Sequence, residues 1–226
     1  MKWWYGADRA NQLGHDEELP VRDGELGAAV WEAPLESARY FVIDIETSGF
    51  SPTSDHILSL AAACIRGEDP TLFDTFYEII QLDAVADVTE QVWALTGLTP
   101  EQALCGQPMR DVLFRALSLS VNKVWIAHHA RHELSFLQRH TKRIWRIPLR
   151  PIVIDTSVVA RALWRLPEVP TLEFVCDRLG VPVTDRHRAD ADVAMTAQVW
   201  VRQLTLCRAM GLSTVAEVVE WAAERG

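Results

Sequence analysis

No run in this 226-residue sequence approaches the ~18 consecutive apolar residues of a membrane-spanning helix. The opening stretch MKWWYGADRANQLG also lacks the apolar centre of a secretion signal, so the expected location is the cytoplasm. Cysteine is sparse: Cys64, Cys105, Cys176 and Cys207 lie far apart, with no C-x-x-C and no histidine pair at zinc spacing. That scatter speaks against a disulfide framework and a structural zinc module. Basic charge is short as well, 22 Lys and Arg against 31 Asp and Glu, for a formal net charge of −9. A broad nonspecific DNA-binding face is normally basic, so this balance disfavours one. It leaves room for an enzyme that grips a few nucleotides through bound metal. What remains is the ordinary balance of a globular protein, 49% hydrophobic and 23% charged, long enough for one domain with a sizeable core.

The stretch from Tyr40 to Gly49, YFVIDIETSG, alternates apolar and other residues with period two and ends in a turn. It reads as a buried strand. Residues i and i+2 of a strand share a face, which puts Asp44 and Glu46 side by side with Cα atoms roughly 6–7 Å apart. Two carboxylates this close repel each other, and burying them unpaired is costly. A hard divalent cation such as Mg²⁺ or Mn²⁺ would satisfy both. A solvated strand face would satisfy them equally, so the pair needs support from elsewhere in the chain.

Residues 1–38 show no clear periodicity. They mix Trp3, Trp4 and Trp31 with acidic residues and read as an extension, an irregular arm packing its tryptophans on the domain. Beyond the first strand, His56–Arg66 and Leu72–Gln81 read as two more strands joined by the turn-rich Gly67-Glu68-Asp69-Pro70, hence antiparallel neighbours. A helical pattern starts at Thr89, breaks at Thr96–Pro100 and resumes as an amphipathic helix over Met109–Leu119. Val124–Ala127 is a short strand running into a helix whose core stripe is Ala130, Leu134 and Leu137, with His129 and Glu133 on an adjoining face. Ile152–Ile154 is another strand, leading through Asp155 as a cap into a helix. Helices at about 171–179, 189–208 and 213–224 complete a mixed α/β sheet covered by helices.

Two further stretches carry chemistry. In Arg186–Ala197, His187 and Asp192 are five apart, about 140° around a helix, so they meet only if His187 lies in the loop before it. Such a histidine, titrating near neutrality, suits proton transfer, with Asp192 fixed on the first turn. Val42-Ile43-Asp44-Ile45-Glu46-Thr47-Ser48-Gly49, His128-His129-Ala130-Arg131-His132-Glu133-Leu134-Ser135-Phe136-Leu137 and His187 to Asp192 then stand in order as three motifs. Together they resemble the DEDDh branch of the DnaQ-like 3′→5′ exonucleases, typified by the ε subunit of bacterial DNA polymerase III. Their patterns are hydrophobic-D-x-E-T-x-G, H-N-A-x-F-D-x-x-F-L and H-x4-D. Asp155-Thr156 and Thr96-Gly97-Leu98-Thr99 match intermediate signposts, so the likeness spans roughly residues 40–205. Four residues before Asp192, where the sister DEDDy branch has Tyr, this chain has Arg188.

The resemblance implies an RNase H-like fold, α/β, with a mixed β-sheet whose first three strands are antiparallel and which helices flank. It implies an exonuclease domain over 39–209, with a C-terminal helix in 210–226. Asp44, Glu46, Glu133 and Asp192 would hold two Mg²⁺ or Mn²⁺ ions, and His187 would act as general base. Thr47, Ser48, Gly49, His129 and His132 would line the terminal nucleotide at a single-stranded 3′ end. A polymerase or other protein partner is compatible with the likeness, although no Q-x-x-L-x-F peptide is present. Three motif positions depart: Glu133 stands for Asp, His129 for Asn and His132 for Phe. Glutamate keeps the charge and adds a methylene. His128, His129 and His132 read as substrate-lining rather than as a transition-metal site, because no soft ligand accompanies them. Arg139, His140, Lys142, Arg143, Arg146 and Arg150 read as a solvated helix end. Two rivals remain, an RNase acting on short RNA and a non-catalytic nucleic-acid-binding module.

Overall fold

The computed structural model describes residues 24–225, so Trp3, Trp4 and the acidic stretch after them lie outside the described residues. Five strands form one sheet in the order β3-β2-β1-β4-β5. Strands β1 (Arg39–Thr47), β2 (Ile57–Arg66) and β3 (Asp69–Ile79) are antiparallel neighbours, while β4 (Val124–Ala127) and β5 (Val153–Asp155) run parallel to β1. Central strands covered on both faces must be apolar on both. Accordingly β2, ILSLAAACIR, is buried from Ile57 to Ile65.

β3 starts earlier than the sequence pattern indicates. The turn is only Gly67-Glu68, and Pro70 lies inside the strand. That is allowed because β3 is an edge, where a missing N–H breaks no ladder bond. Register shifts against β2 and a φ of 50° at Asp74 mark an irregular pairing on the same strand. β5 likewise runs one residue later than expected, ending at Asp155.

Helices cover both faces. On one side α4 (Met109–Ser120) and α5 (Arg131–Trp145) bury Val112, Leu113, Ala116, Phe136, Leu137 and Trp145 against Phe41, Ile43 and Ile45 of β1. On the other lies α8 (Ala189–Ala209), with Val193, Ala197, Trp200 and Leu204 over Tyr40, Val42, Ala61 and Ala63. Small residues on β2 let this long helix approach closely. Tyr40 meets Trp200 edge-on at 5.3 Å and donates its hydroxyl to the Leu35 carbonyl at 2.8 Å. α6 (Thr156–Trp164) and α7 (Leu172–Leu179) pack Ala160, Val175 and Cys176 on the far side of α8. α8 is therefore apolar around most of its girth, as a helix sandwiched between layers must be.

Short helices α2 (Glu90–Thr96) and α3 (Pro100–Leu104) sit beside the sheet, separated where Gly97 takes a left-handed φ of 67°. Within the extension, residues 24–31 form a helix, α1 (Gly24–Trp31), that the sequence pattern does not reveal. α1 lies against α9 (Val215–Arg225), and Leu35 just after it is fully buried in the core under α8.

Candidate active site

Tyr40, Val42, Asp44 and Glu46 form one row along β1, facing α8. At the row's end the cross-strand partners are small, Ala61 opposite Asp44 and Ser59 opposite Glu46, so the two carboxylates have space above the sheet. Glu133, the third residue of α5, and Asp192, the fourth of α8, reach the same end of the sheet from either side, both buried. Burial raises Asp44 well above the ordinary carboxylate range, and repulsion from Glu133, Asp192 and Glu46 adds to it. Burial, then Asp192, pushes Glu46 up to about 7, and burial raises Glu133 and Asp192 too. Asp44 therefore lies within electrostatic reach of Glu46, Glu133 and Asp192, a gathering of acids that suits a cation.

The donor set fits a hard divalent ion. Glu133 Oε2 and Asp192 Oδ1 are buried atoms without a hydrogen-bond partner, which is costly unless something cationic occupies the gap. Glu46, His187 and Asp192 each offer a ligand atom, all within 4.8 Å of one another. His187 lies two residues before α8 in a left-handed conformation, φ 64°, so the loop turns it back toward Asp192.

Two arms hold the helical acids in different ways. The turn from β4 into α5 is organised by Asp155, whose carboxylate accepts from His129 N at 3.1 Å, Ala130 N at 2.8 Å, and the Ser157 N and Oγ at 2.9 and 2.7 Å. It caps α6 and holds the entry to α5 at once. His129 is thereby placed outside the helix, at φ 60°, with its ring against His128 at 4.6 Å, rather than on a helical face shared with Glu133. Asn and His tolerate that left-handed φ better than most residues. Buried His128 is pushed down to about 4, chiefly by burial and then by His129, and is neutral. Its Nε2 faces the Pro170 carbonyl at 3.1 Å, and its Nδ1 lies 2.9 Å from the Thr156 hydroxyl, which also donates to the Ala127 carbonyl at 3.2 Å.

On the α8 side, an ion pair does the work. Arg186 binds Asp192 Oδ2 through Nη1, and its Nε donates to Glu173 Oε1 at 2.6 Å. Asp192 is left with Oδ1 alone for the site. Burial alone would raise Glu173, but hydrogen bonds from its own backbone and from Arg186 hold it at about 2. Neither Arg186 nor Glu173 belongs to a sequence motif, and only the fold brings α7 beside the α8 entry.

The loop after β1 closes the remaining side. Thr47 Oγ1 donates to the Gly49 carbonyl at 2.7 Å and accepts from His132 Nε2 at 3.2 Å, joining the first two motifs. Ser48 Oγ accepts from His56 N at 2.9 Å. A Cβ on Gly49 would lie 2.4 Å from Asp55 Oδ2, so a side chain there would have to displace the carboxylate that accepts from Ser51 N. Phe50, which follows, is 92% exposed with its ring 6.0 Å from His132. A large exposed aromatic at a site rim suits stacking on a base. In the sequence alone, an apolar residue after a turn looks like the start of another core segment.

A mixed sheet with its first three strands antiparallel, and acids gathered at the end of the first, defines the RNase H-like class of nuclease folds. The chain belongs to the RNase T family of exonucleases, whose family model matches residues 41–200. It is 26% identical over 188 residues to the PolC-type DNA polymerase III of Thermotoga petrophila, covering 83% of this chain and 13% of that one. Against an ε-like protein of DNA polymerase III from Rhodobacter capsulatus it is 28% identical over 221 residues, 95% of this chain and 30% of the relative. The chain thus spans less than a third of the length of these relatives. Among solved structures, E. coli exonuclease I with a dA16 oligonucleotide superposes with a TM-score of 0.62 at 18% identity, covering 71% of this chain and 39% of that one. A 3′-exonuclease that recognises histone mRNA stem-loops gives 0.63 at 17%, covering 74% and 64%. No helix among the described residues is long and apolar enough to cross a membrane.

Proposed function

We propose that this protein is a DEDDh-type 3′→5′ exonuclease that removes nucleoside 5′-monophosphates from single-stranded DNA ends, with Mg²⁺ or Mn²⁺ as cofactor. The observation that carries this reading is the grouping of Glu46, His187 and Asp192 within 4.8 Å, with Asp44 in electrostatic reach of Glu46, Glu133 and Asp192 and an unpartnered buried oxygen on Glu133 and on Asp192. The four acids would hold the ions, which supply a lowered pKa for the attacking water and charge stabilisation of the leaving 3′ oxygen.

The rest falls to the chain's own groups. His187, turned toward Asp192, takes the proton from the attacking water. The loop of Thr47, Ser48 and Gly49, pinned to His132, gives the terminal nucleotide a rigid backbone wall, with Phe50 and His129 at its rim. Glu133 replaces the family's usual Asp and sits at the first turn of α5, close enough to Asp44 to raise that residue's proton affinity. The extra methylene therefore does not carry its charge away from the site. A preference for DNA follows the polymerase-associated relatives. An RNA substrate is the second reading, favoured by the structural likeness to an exonuclease acting on histone mRNA.

Release of 5′-monophosphates from labelled single-stranded DNA and matched RNA tests the reading. EDTA should abolish release and Mg²⁺ or Mn²⁺ restore it, and Asp44→Ala should fall to background while remaining folded. Full activity in EDTA would end the two-ion account.

A further inference from the structure

The basic cluster at the C-terminal half of α5 looks from sequence like a solvated helix end, but the fold places it beside the site. Residues 139 and 143 are seven and eleven positions after His132, which puts each within about 20° of it, on one helical face about 40° wide. Along that face, at 1.5 Å per residue, Arg139 lies about 10 Å and Arg143 about 16 Å beyond His132. His132 touches Thr47 of the first motif, so the stripe starts at the site itself. Arg139 donates through Nη1 to the Pro52 carbonyl, fixing it against the loop that carries Phe50.

These cations crowd one another. Burial, then Arg139, Arg143 and His56, together lower half-buried His140 to about 4. Ion pairs among the described residues involve Arg115, Arg186, Arg188, Arg208 and Arg225, whereas Arg139 and Arg143 pair with no described carboxylate. In a protein with a net charge of −9, part-buried Arg139 and exposed Arg143, neither paired with a described carboxylate, make a local concentration of positive charge suited to an anion.

We propose that Arg139 and Arg143 form a phosphate track for the nucleotides upstream of the 3′ end. The proposal rests on the nuclease reading above and extends it, since the acids act on the terminal phosphodiester and the track holds the strand behind it. A stripe of about 10–16 Å spans about two or three nucleotides of single strand, so the track serves oligonucleotides and not dinucleotides. Because it reads phosphate, it treats DNA and RNA alike.

Binding separates this from the chemistry. Fluorescence anisotropy with 5′-labelled dT8 and rU8, in Ca²⁺ or EDTA and at several salt concentrations, measures the track without turnover. Exposed Arg143→Glu should weaken both by about tenfold at low salt and reduce the slope of log affinity against log salt by about one. Arg139→Gln, which keeps a donor for the Pro52 carbonyl, should reduce the slope similarly. Hydrolysis of a dinucleotide should be unchanged in both variants. Unaltered dT8 affinity, as expected if the stripe serves an acidic protein surface, would overturn the proposal, and so would equal losses on dT8 and the dinucleotide. If the parent binds dT8 with the full salt slope yet cleaves nothing, the nuclease reading fails and the track stands.

Discussion

The two helices that bring acids to the sheet end do so by opposite means. At the α5 entry the acid itself, Glu133, has an oxygen without any partner, and order comes from the backbone: Asp155 ties down two N–H groups of the turn, while neutral His128 pins it to Pro170. At the α8 entry the acid is clamped directly, since Arg186 takes one oxygen of Asp192 and is itself braced on Glu173. One arm is built to hold a ligand's position and the other its orientation. The first tolerates a longer side chain, because the anchor lies in the turn and not on the carboxylate. That explains how Glu133 can stand where the family pattern has Asp. The second leaves one oxygen of Asp192 directed at the site, an arrangement that depends on the bidentate reach of a guanidinium.

The largest expected effects fall on the groups that do chemistry, one on each arm. General-base catalysis contributes about 10²–10⁴-fold, so His187→Ala should cut single-turnover rates by that order while leaving dT8 binding intact. A loss under about threefold would remove His187 from that role. On the other arm, Glu133→Gln should fall sharply and Glu133→Asp should keep or raise activity, because the turn rather than the side-chain length sets the position. Equal rates for Glu133→Gln and the parent would show that this carboxylate does not meet the metal.

Supporting residues should cost less, and differently. Groups hydrogen-bonded behind a metal ligand typically change metal affinity about 10–100-fold when lost. Arg186→Lys keeps the charge but loses the fork, so calorimetry should show weaker Mn²⁺ binding at nearly unchanged stability. Asp155→Asn turns an amide NH₂ toward at least one of the three backbone donors, His129, Ala130 and Ser157. It should therefore lower the melting temperature, by about 2–4 °C for each kcal/mol lost, and affect metal binding only secondarily. If the two variants behaved alike, the distinction between the arms would fail.

This contrast also marks where the sequence is legible. Period-two alternation exposed β1 and both of its acids, and the i, i+4, i+7 stripe exposed α5, because local geometry fixes which residues share a face. The His187–Asp192 spacing, together with the need to meet, put the histidine in the loop before α8. Nothing local reveals Arg186 pairing across to Glu173, thirteen residues away on another helix. Pro70 reads as a turn until β3 is known to be an edge, and α1 reads as irregular because its order comes from packing on α9. His129 reads as helical until Asp155 is seen drawing its N–H out of the helix. Each miss is a contact between elements distant in sequence.

The smallest effect concerns the site as a whole, before any ion binds. Glu46 is raised from its ordinary 4.5 to about 7, mainly by burial and then by Asp192, and Asp44, Glu133 and Asp192 move the same way. Between those two pH values the unfolded chain releases a proton that the folded chain retains, so folding stability falls as pH rises and levels off above about 7. For Glu46 alone the shift corresponds to about 3 kcal/mol at most, and solvent screening reduces it to about 1–2 kcal/mol. In EDTA the melting temperature should therefore drop by about 2–8 °C between pH 5 and 7.5. Asp44→Asn removes the most crowded charge and should flatten that slope. Saturating Mg²⁺ should reverse it, because ionised carboxylates bind the ion and binding to the folded state alone adds stability. A melting temperature in EDTA that rises with pH across this window would mean that the four acids are relieved by something other than a cation, and the arms would then have no common ligand to present.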